Sequence, residues 1–230
     1  MSEPLQGPRA SDIRFDDDRL RRVIKRREDL PMDQDRLQQA GMERLKRASN
    51  ADAPALTVLR ARRYLAKFPT RGYAWHLLGV ALIELTRYEE AEQALARAIE
   101  LCPAEKLWLP YHCMGDLFKF AGDYDRAASW YGKSIDAFPD DCSGYIYLGG
   151  IFTTQGRHQE AEQVFRMGTH CTDGCLDEAY LNLGFALRAQ EKFEDAAECF
   201  REAIRRDPHY KAAKRALRDV MACLRERGRV

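Results

Sequence analysis

Very little net charge is present in this chain: 37 Lys and Arg stand against 36 Asp and Glu, for a formal charge of +1. No bulk field therefore gathers nucleic acid or anionic membrane. No apolar run reaches the roughly 18 to 20 residues that a membrane-spanning helix requires, so no membrane partner is expected. The opening stretch MSEPLQGPRASDIRFDDD has no apolar centre of the kind a signal peptide carries, and a cytoplasmic location is the expectation. Catalytic signatures are missing as well. There is no phosphate-cradling Gly-rich loop, no H-E-x-x-H pair and no G-x-S-x-G elbow. Acidic residues mostly sit beside Arg or Lys, as in EEAEQALARAIE, which reads as a solvated helix face before an acid–base dyad. The chain is read as a non-enzyme. Its seven cysteines, an odd number without framework spacing, are read as reduced thiols that mostly fill small apolar spaces.

What is present is a beat. Gly79, Gly115, Gly149 and Gly184 recur at intervals of 36, 34 and 35 residues (115 − 79, 149 − 115 and 184 − 149). An aromatic residue precedes each by four positions (Trp75, Tyr111, Tyr145, Tyr180), and a small residue follows (Ala91, Ala127, Ala161, Ala196). In the first clear unit Trp75, Leu78, Gly79 and Leu82 mark one face of a helix. Ala91, Leu95, Ala98 and Ile99 mark one face of a second. Pro103, Pro139 and Pro208 end second helices, since proline lacks the N–H and clashes with the preceding turn. Asp173 stands where the third unit would have its proline. The turns rhyme too: TRYEEA, GDYDRA, GRHQEA and EKFEDA. A period near 34 built this way makes each unit an antiparallel helix pair, and the chain an all-α solenoid.

The organisation predicted is a charged arm over residues 1–32 and a repeat domain over 33–230. Within the domain lie a degenerate unit at 33–69, clear units at 72–103, 108–139, 142–173 and 177–208, and a capping helix at 209–225. In the degenerate unit, Leu37, Ala40, Gly41 and Leu45 suggest one stripe, and Leu56, Leu59, Ala61 and Leu65 a second. Six of the nine residues from Arg19 to Arg27 are basic, and Lys211–Val230 carries seven basic and two acidic residues. These ends are the alternative functional feature, as contacts for RNA or another polyanion. Self-assembly through end units is a further alternative.

These residues together resemble the tetratricopeptide repeat family, strongly over 72–208. The departures are two extra residues around Lys106 and Leu107, Gly168 in a slot usually filled by Ala, the missing Pro at Asp173, and a looser joint expected at Cys171–Cys175. The resemblance implies a right-handed superhelix whose first helices line a concave groove for a peptide or partner helix. On that basis the partner-binding residues are Tyr73, His76, Leu77 and Val80 in the first clear unit. His112, Asp116 and Phe120 follow in the second, Ile146 and Tyr147 in the third, and Asn182, Phe185 and Arg188 in the fourth. The expected role is an adaptor or scaffold that holds a protein partner by shape and hydrophobic anchoring. The family's carboxylate clamp of Lys, Asn and Arg is not matched. His76 and Val80 stand where it would begin, Cys113 replaces its next Asn, and Tyr147 stands in place of a cation. Binding of chaperone tails is thereby disfavoured. His76 and His112, beside Cys113 and Asp116, are read as polar groove residues, and His170, Cys171 and Cys175 as a turn. Neither set has a familiar zinc spacing, so no metal or cofactor is expected.

Overall fold

The computed structural model describes residues 34–228, and the charged arm, including Arg19–Arg27, lies outside them. Among the described residues eleven α-helices follow one another: α1 (Gln34–Asn50), α2 (Pro54–Leu65), α3 (Gly72–Glu84), α4 (Tyr88–Leu101), α5 (Trp108–Phe120), α6 (Tyr124–Ala137), α7 (Cys142–Thr154), α8 (His158–Gly168), α9 (Leu176–Ala189), α10 (Phe193–Arg206) and α11 (Lys211–Glu226). A 3₁₀ turn at Ala104–Lys106 absorbs the extra residues before α5. Packing divides the chain after Gly41. The first unit contributes only the opening turns of α1 to the described residues, and the second, from Met42 onward, is the solenoid treated below.

The beat is a set of holes and plugs. A Cβ placed on Gly79 would lie 2.6 Å from the Leu95 side chain; on Gly115, 2.5 Å from Tyr131; on Gly149, 2.5 Å from Phe165; on Gly184, 2.4 Å from Phe200. Each glycine thus opens a hole in the leading helix of its unit. A large side chain from the trailing helix, always 16 residues later (95 − 79, 131 − 115, 165 − 149, 200 − 184), fills it. All four plugs are at most 2% exposed. In the degenerate unit the same spacing separates Leu45 from Ala61 (61 − 45 = 16), both fully buried in one core cluster, with the sizes exchanged.

The turn between leading and trailing helix is also repeated. Thr86, Gly122, Gly156 and Glu191, seven residues past each beat glycine, take positive φ values of 57°, 80°, 74° and 59°. The next N–H then reaches back five residues: Arg87 to the Leu82 carbonyl at 2.9 Å, Asp123 to Phe118 at 2.8 Å, Arg157 to Phe152 at 2.8 Å and Lys192 to Leu187 at 3.0 Å. This left-handed C-terminal cap satisfies carbonyls the helix end leaves free and fixes the reversal angle.

Two expectations change. Leu56 and Leu59 are 40% and 48% exposed, because the buried face of α2 is phased by Thr57, Val58, Ala61, Tyr64 and Leu65. The joint at Cys171–Cys175 is not loose. Its backbone pairs with the turn before α7: Thr172 and Asp173 donate to the Asp140 carbonyl at 3.2 and 3.0 Å, and Cys142 donates to Asp173 at 3.1 Å. Gly174, at φ +86°, makes the bend, and the Asp141 carboxylate accepts from the Ser143 N–H to cap α7. All seven cysteines are free thiols. Cys142 is the one fully buried, while Cys175 is exposed and fills nothing. Between the third and fourth units, the half-sheltered Glu162 carboxylate accepts from Arg166 at 2.9 Å, Lys192 at 2.7 Å and Gln190 at 2.8 Å.

Hole and plug make a sharp contrast between glycines. Gly184→Ala drives a methyl into the Phe200 ring and is expected to cost about 1–3 kcal/mol. Gly132→Ala, within α6 and with nothing inside 4 Å of the new Cβ, is expected to stabilise by about 0.5–1 kcal/mol. Urea unfolding of the two variants beside the parent measures both signs.

Candidate functional site

Successive leading helices touch one another, at α3–α5, α7–α9 and α9–α11, whereas successive trailing helices make no comparable contact. The leading helices are therefore on the inside of the curve. Their inward stripe exposes three large aromatics: Tyr73 on α3 at 41%, Phe120 on α5 at 60% and Tyr147 on α7 at 39%.

At the centre of this stripe is a node around Asp116. Its carboxylate accepts from the Tyr131 hydroxyl at 2.7 Å and the Lys119 ammonium at 2.8 Å, and His112 Nε2 lies 3.5 Å away. The His112 ring meets Tyr147 edge-on with centroids 4.5 Å apart and Tyr131 at 5.4 Å, while Tyr131 and Tyr147 stack at 5.6 Å. The Lys119 ammonium stands 4.9 Å from both the Phe120 and Tyr147 ring centres, in range of a cation–π contact with each. Burial holds the His112 pKa below its ordinary value against the opposing pull of Asp116, so the ring is neutral at pH 7. Burial, then the Asp116 charge, raise both the Tyr131 and Tyr147 phenols, which stay protonated as donors. Alternating aromatic faces and fixed polar groups suit contact with a polypeptide: apolar anchors to bury, and a few groups to set register.

The node depends on two residues outside the sequence-derived set. Tyr131 reads as core because it plugs the Gly115 hole. Its signal was the hydroxyl, since the equivalent plugs Leu95, Phe165 and Phe200 have none. Lys119 was legible only as the partner three residues beyond Asp116. Of the predicted residues, His112, Asp116, Phe120 and Tyr147 come together here. Tyr73 stacks on His76 at 5.7 Å on the neighbouring helix, and both line a hollow of about 280 Å³ with Arg71, Cys102, Lys106 and Leu109. Val80 is half-buried. Leu77 and Ile146, 6% and 9% exposed, belong to the core rather than to open surface. Asn182 and Phe185 are half-buried, Phe185 lying edge-on to Phe200 at 5.4 Å. Arg188 covers the Phe185 ring at 5.0 Å and pairs with Asp219 of α11 at 2.8 Å, so its charge is already answered. A second hollow, of about 700 Å³, is floored by Trp75, Leu78 and Leu82 on the opposite face of α3 and is separate from this stripe. Among the described residues no three His, Cys, Asp or Glu side chains are grouped so as to hold a metal ion.

His76 is the node's buried neighbour, 7% exposed, and its Nδ1 has no hydrogen-bond partner among the described residues. Burial first, and the nearby His112 second, hold its pKa down to about 4. The unfolded chain takes up this proton near the ordinary value of about 6.5. Stability from the neutral ring is therefore complete above about pH 6.5 and is lost as the pH falls toward about 4, by at most about 3 kcal/mol. His76→Leu removes both the titration and the orphaned nitrogen. Circular-dichroism melts from pH 7 to 4.5 are expected to show a Tm unchanged or raised at pH 7 and a smaller acid loss than the parent, His112 supplying the residual slope. An acid loss equal to the parent's contradicts this.

Comparison with known proteins agrees with this architecture. Family models described as Tetratricopeptide repeat match residues 72–105, 114–172 and 177–210. Among curated proteins the chain is similar to the BBSome complex member BBS4 of Bos taurus, 30% identical over 86 residues, which are 37% of this chain and 16% of that protein. It is also similar to the small glutamine-rich tetratricopeptide repeat-containing protein 2 of Mycosarcoma maydis, 26% identical over 118 residues, 51% of this chain and 32% of that one. The chain thus spans a third or less of the length of these curated relatives. Among solved structures, YrrB, described as a TPR protein with an unusual peptide-binding site, is 17% identical with a TM-score of 0.56, over 75% of this chain and 87% of its own. MamA from Desulfovibrio magneticus RS-1 is 15% identical with a TM-score of 0.61, over 76% and 97%. At such identities the likeness is one of fold. With hole-and-plug crossings, inward leading helices and three matching repeat segments in register, the chain belongs to the tetratricopeptide repeat family.

Proposed function

We propose that this protein is a non-enzymatic adaptor of the cytoplasm that holds an extended or helical segment of a protein partner along its inner face. The observation that carries the reading is the row of exposed aromatics Tyr73, Phe120 and Tyr147 on three successive leading helices, set around the Asp116 node. Large apolar rings left open in a concave surface bury well against a partner and lose little side-chain entropy in doing so. The node gives orientation: a neutral imidazole, a phenol and a lysine already balanced by Asp116 offer hydrogen bonds without a strong net charge. That balance favours a partner segment with apolar anchors over one recognised by a terminal carboxylate, for which paired cations would be needed. Val80, Asn182, Phe185 and Arg188 extend the surface toward both ends, while His76, Leu77 and Ile146 support it from beneath. The curated relatives are much longer proteins, and what they assemble with is theirs.

The test is affinity capture from native extract with the parent and the Phe120→Ala, Tyr147→Ala double variant side by side, with bound proteins quantified. Partner recovery is expected to fall about tenfold or more, with helicity unchanged and Tm lowered by no more than a few degrees. Equal recovery by the two proteins removes the inner face as the binding surface.

A further inference from the structure

The register of the repeat continues into α11, and there its content changes. Counting on from the fourth unit, 218 − 184 = 34 puts Arg218 in the place of the beat glycine. Lys214, Leu217 and Met221 take the places of Tyr180, Leu183 and Leu187. In α9 that face is covered by α10, so closely that a Cβ on Gly184 would strike the Phe200 ring at 2.4 Å. In α11 that place is taken by the exposed Arg218, whose long charged side chain leaves no hole for a large plug. Beside it, Ile204 of α10 and Leu217 floor an open slot of about 590 Å³ walled by Lys211, Lys214, Arg215 and Arg218.

The four cations are at positions i, i+3, i+4 and i+7, on the side of α11 opposite its buried Ala213, Ala216, Val220 and Leu224. None makes an ion pair or side-chain hydrogen bond with another described residue. By contrast Arg188, Arg206 and Lys192 on α9, α10 and the turn between them are each paired with a carboxylate, of Asp219, Glu202 and Glu162 respectively. Like charges spaced three and four residues apart repel. Two of them, Lys211 and Lys214, lie in the first turn of α11, where the helix dipole disfavours cations and where there is no acidic residue and no side-chain cap. Among the described residues this row of positive charge around an apolar slot thus has no carboxylate paired with it. The slot has no aromatic wall on which nucleic-acid bases could stack, and its floor is aliphatic.

We propose that this end face docks an acidic amphipathic segment of a partner protein. Its carboxylates pair with Lys211, Lys214, Arg215 and Arg218, and one of its apolar side chains fills the slot between Ile204 and Leu217. The site is separate from the inner aromatic stripe and stands whether or not that stripe binds.

Fluorescence anisotropy on the full chain tests it. The probe is a short fluorescein-labelled peptide of repeated Glu-Glu-Leu, with two comparison probes: the same peptide with Ala for every Leu, and labelled oligouridylate. The Leu peptide is expected to bind, to lose about tenfold in affinity on Lys214→Glu with Arg218→Glu, and to lose several-fold when its Leu residues become Ala. The Phe120→Ala, Tyr147→Ala variant is expected to bind it as the parent does. Lys214→Gln with Arg218→Gln gives the same reading with a smaller loss, should charge reversal disturb folding. No binding by the parent, or equal binding by the parent and the charge variants, overturns the proposal. So does oligouridylate binding that falls with these substitutions while the Leu and Ala peptides bind alike, which would make the face a polyanion surface.

Discussion

Everything in this solenoid hangs on the fit of one large side chain into the space left by one missing Cβ, four times over. Leu95, Tyr131, Phe165 and Phe200 are nearly or wholly removed from water because Gly79, Gly115, Gly149 and Gly184 leave room for them. Burying a side chain of this size contributes about 1.5–3 kcal/mol, and the fit also sets how closely the two helices of a unit approach. The left-handed turn seven residues on then fixes the angle at which the trailing helix returns. With distance and angle set alike in each unit, the leading helices fall in sequence along one inner face. That ordering turns residues far apart in the chain, such as His112 and Tyr147, into ring neighbours.

At the second unit this structural device acquires a chemical use. Tyr131 is a plug like the others, but its hydroxyl emerges beside Asp116 and donates to it. The same carboxylate holds Lys119, whose ammonium stands against both Phe120 and Tyr147. Packing at the crossing and polarity in the groove are therefore coupled through one side chain. His76 adds a cost: a neutral imidazole kept under the aromatic stripe with one nitrogen unanswered, tolerated because so much apolar surface is buried around it. In α11 an exposed Arg218 stands in the glycine place. The helix remains, held by Ala213, Ala216, Val220 and Leu224, but its outer face is open and cationic.

The repeat units were legible because glycine, proline and small-residue positions are local signals that survive without tertiary context. The phase of α2 was not, since Leu56 and Leu59 are as apolar as the residues that bury, and only packing in the folded stack decides which face turns inward. The joint at Cys171–Cys175 looked loose for want of a proline, yet backbone pairing across Asp140–Cys142 and Thr172–Asp173 leaves no side-chain mark in the sequence. The groove was legible as a stripe but not as a node. Leu77 and Ile146 fall at the right spacing for the inner face, yet both are packed into core clusters with side chains of neighbouring helices. Tyr131 comes from a trailing helix, which a search confined to the leading helices passes by.

The central claim is that hole and plug are one interaction, and a double-mutant cycle at Gly115 and Tyr131 measures it most directly. Gly115→Leu and Tyr131→Ala are each expected to destabilise in urea unfolding. Together they recreate the exchanged sizes of Leu45 and Ala61, and the double variant is expected to recover at least about 1 kcal/mol relative to the sum of the singles. Losses that simply add would mean the two positions act independently, and the account of this fold would be wrong at its base.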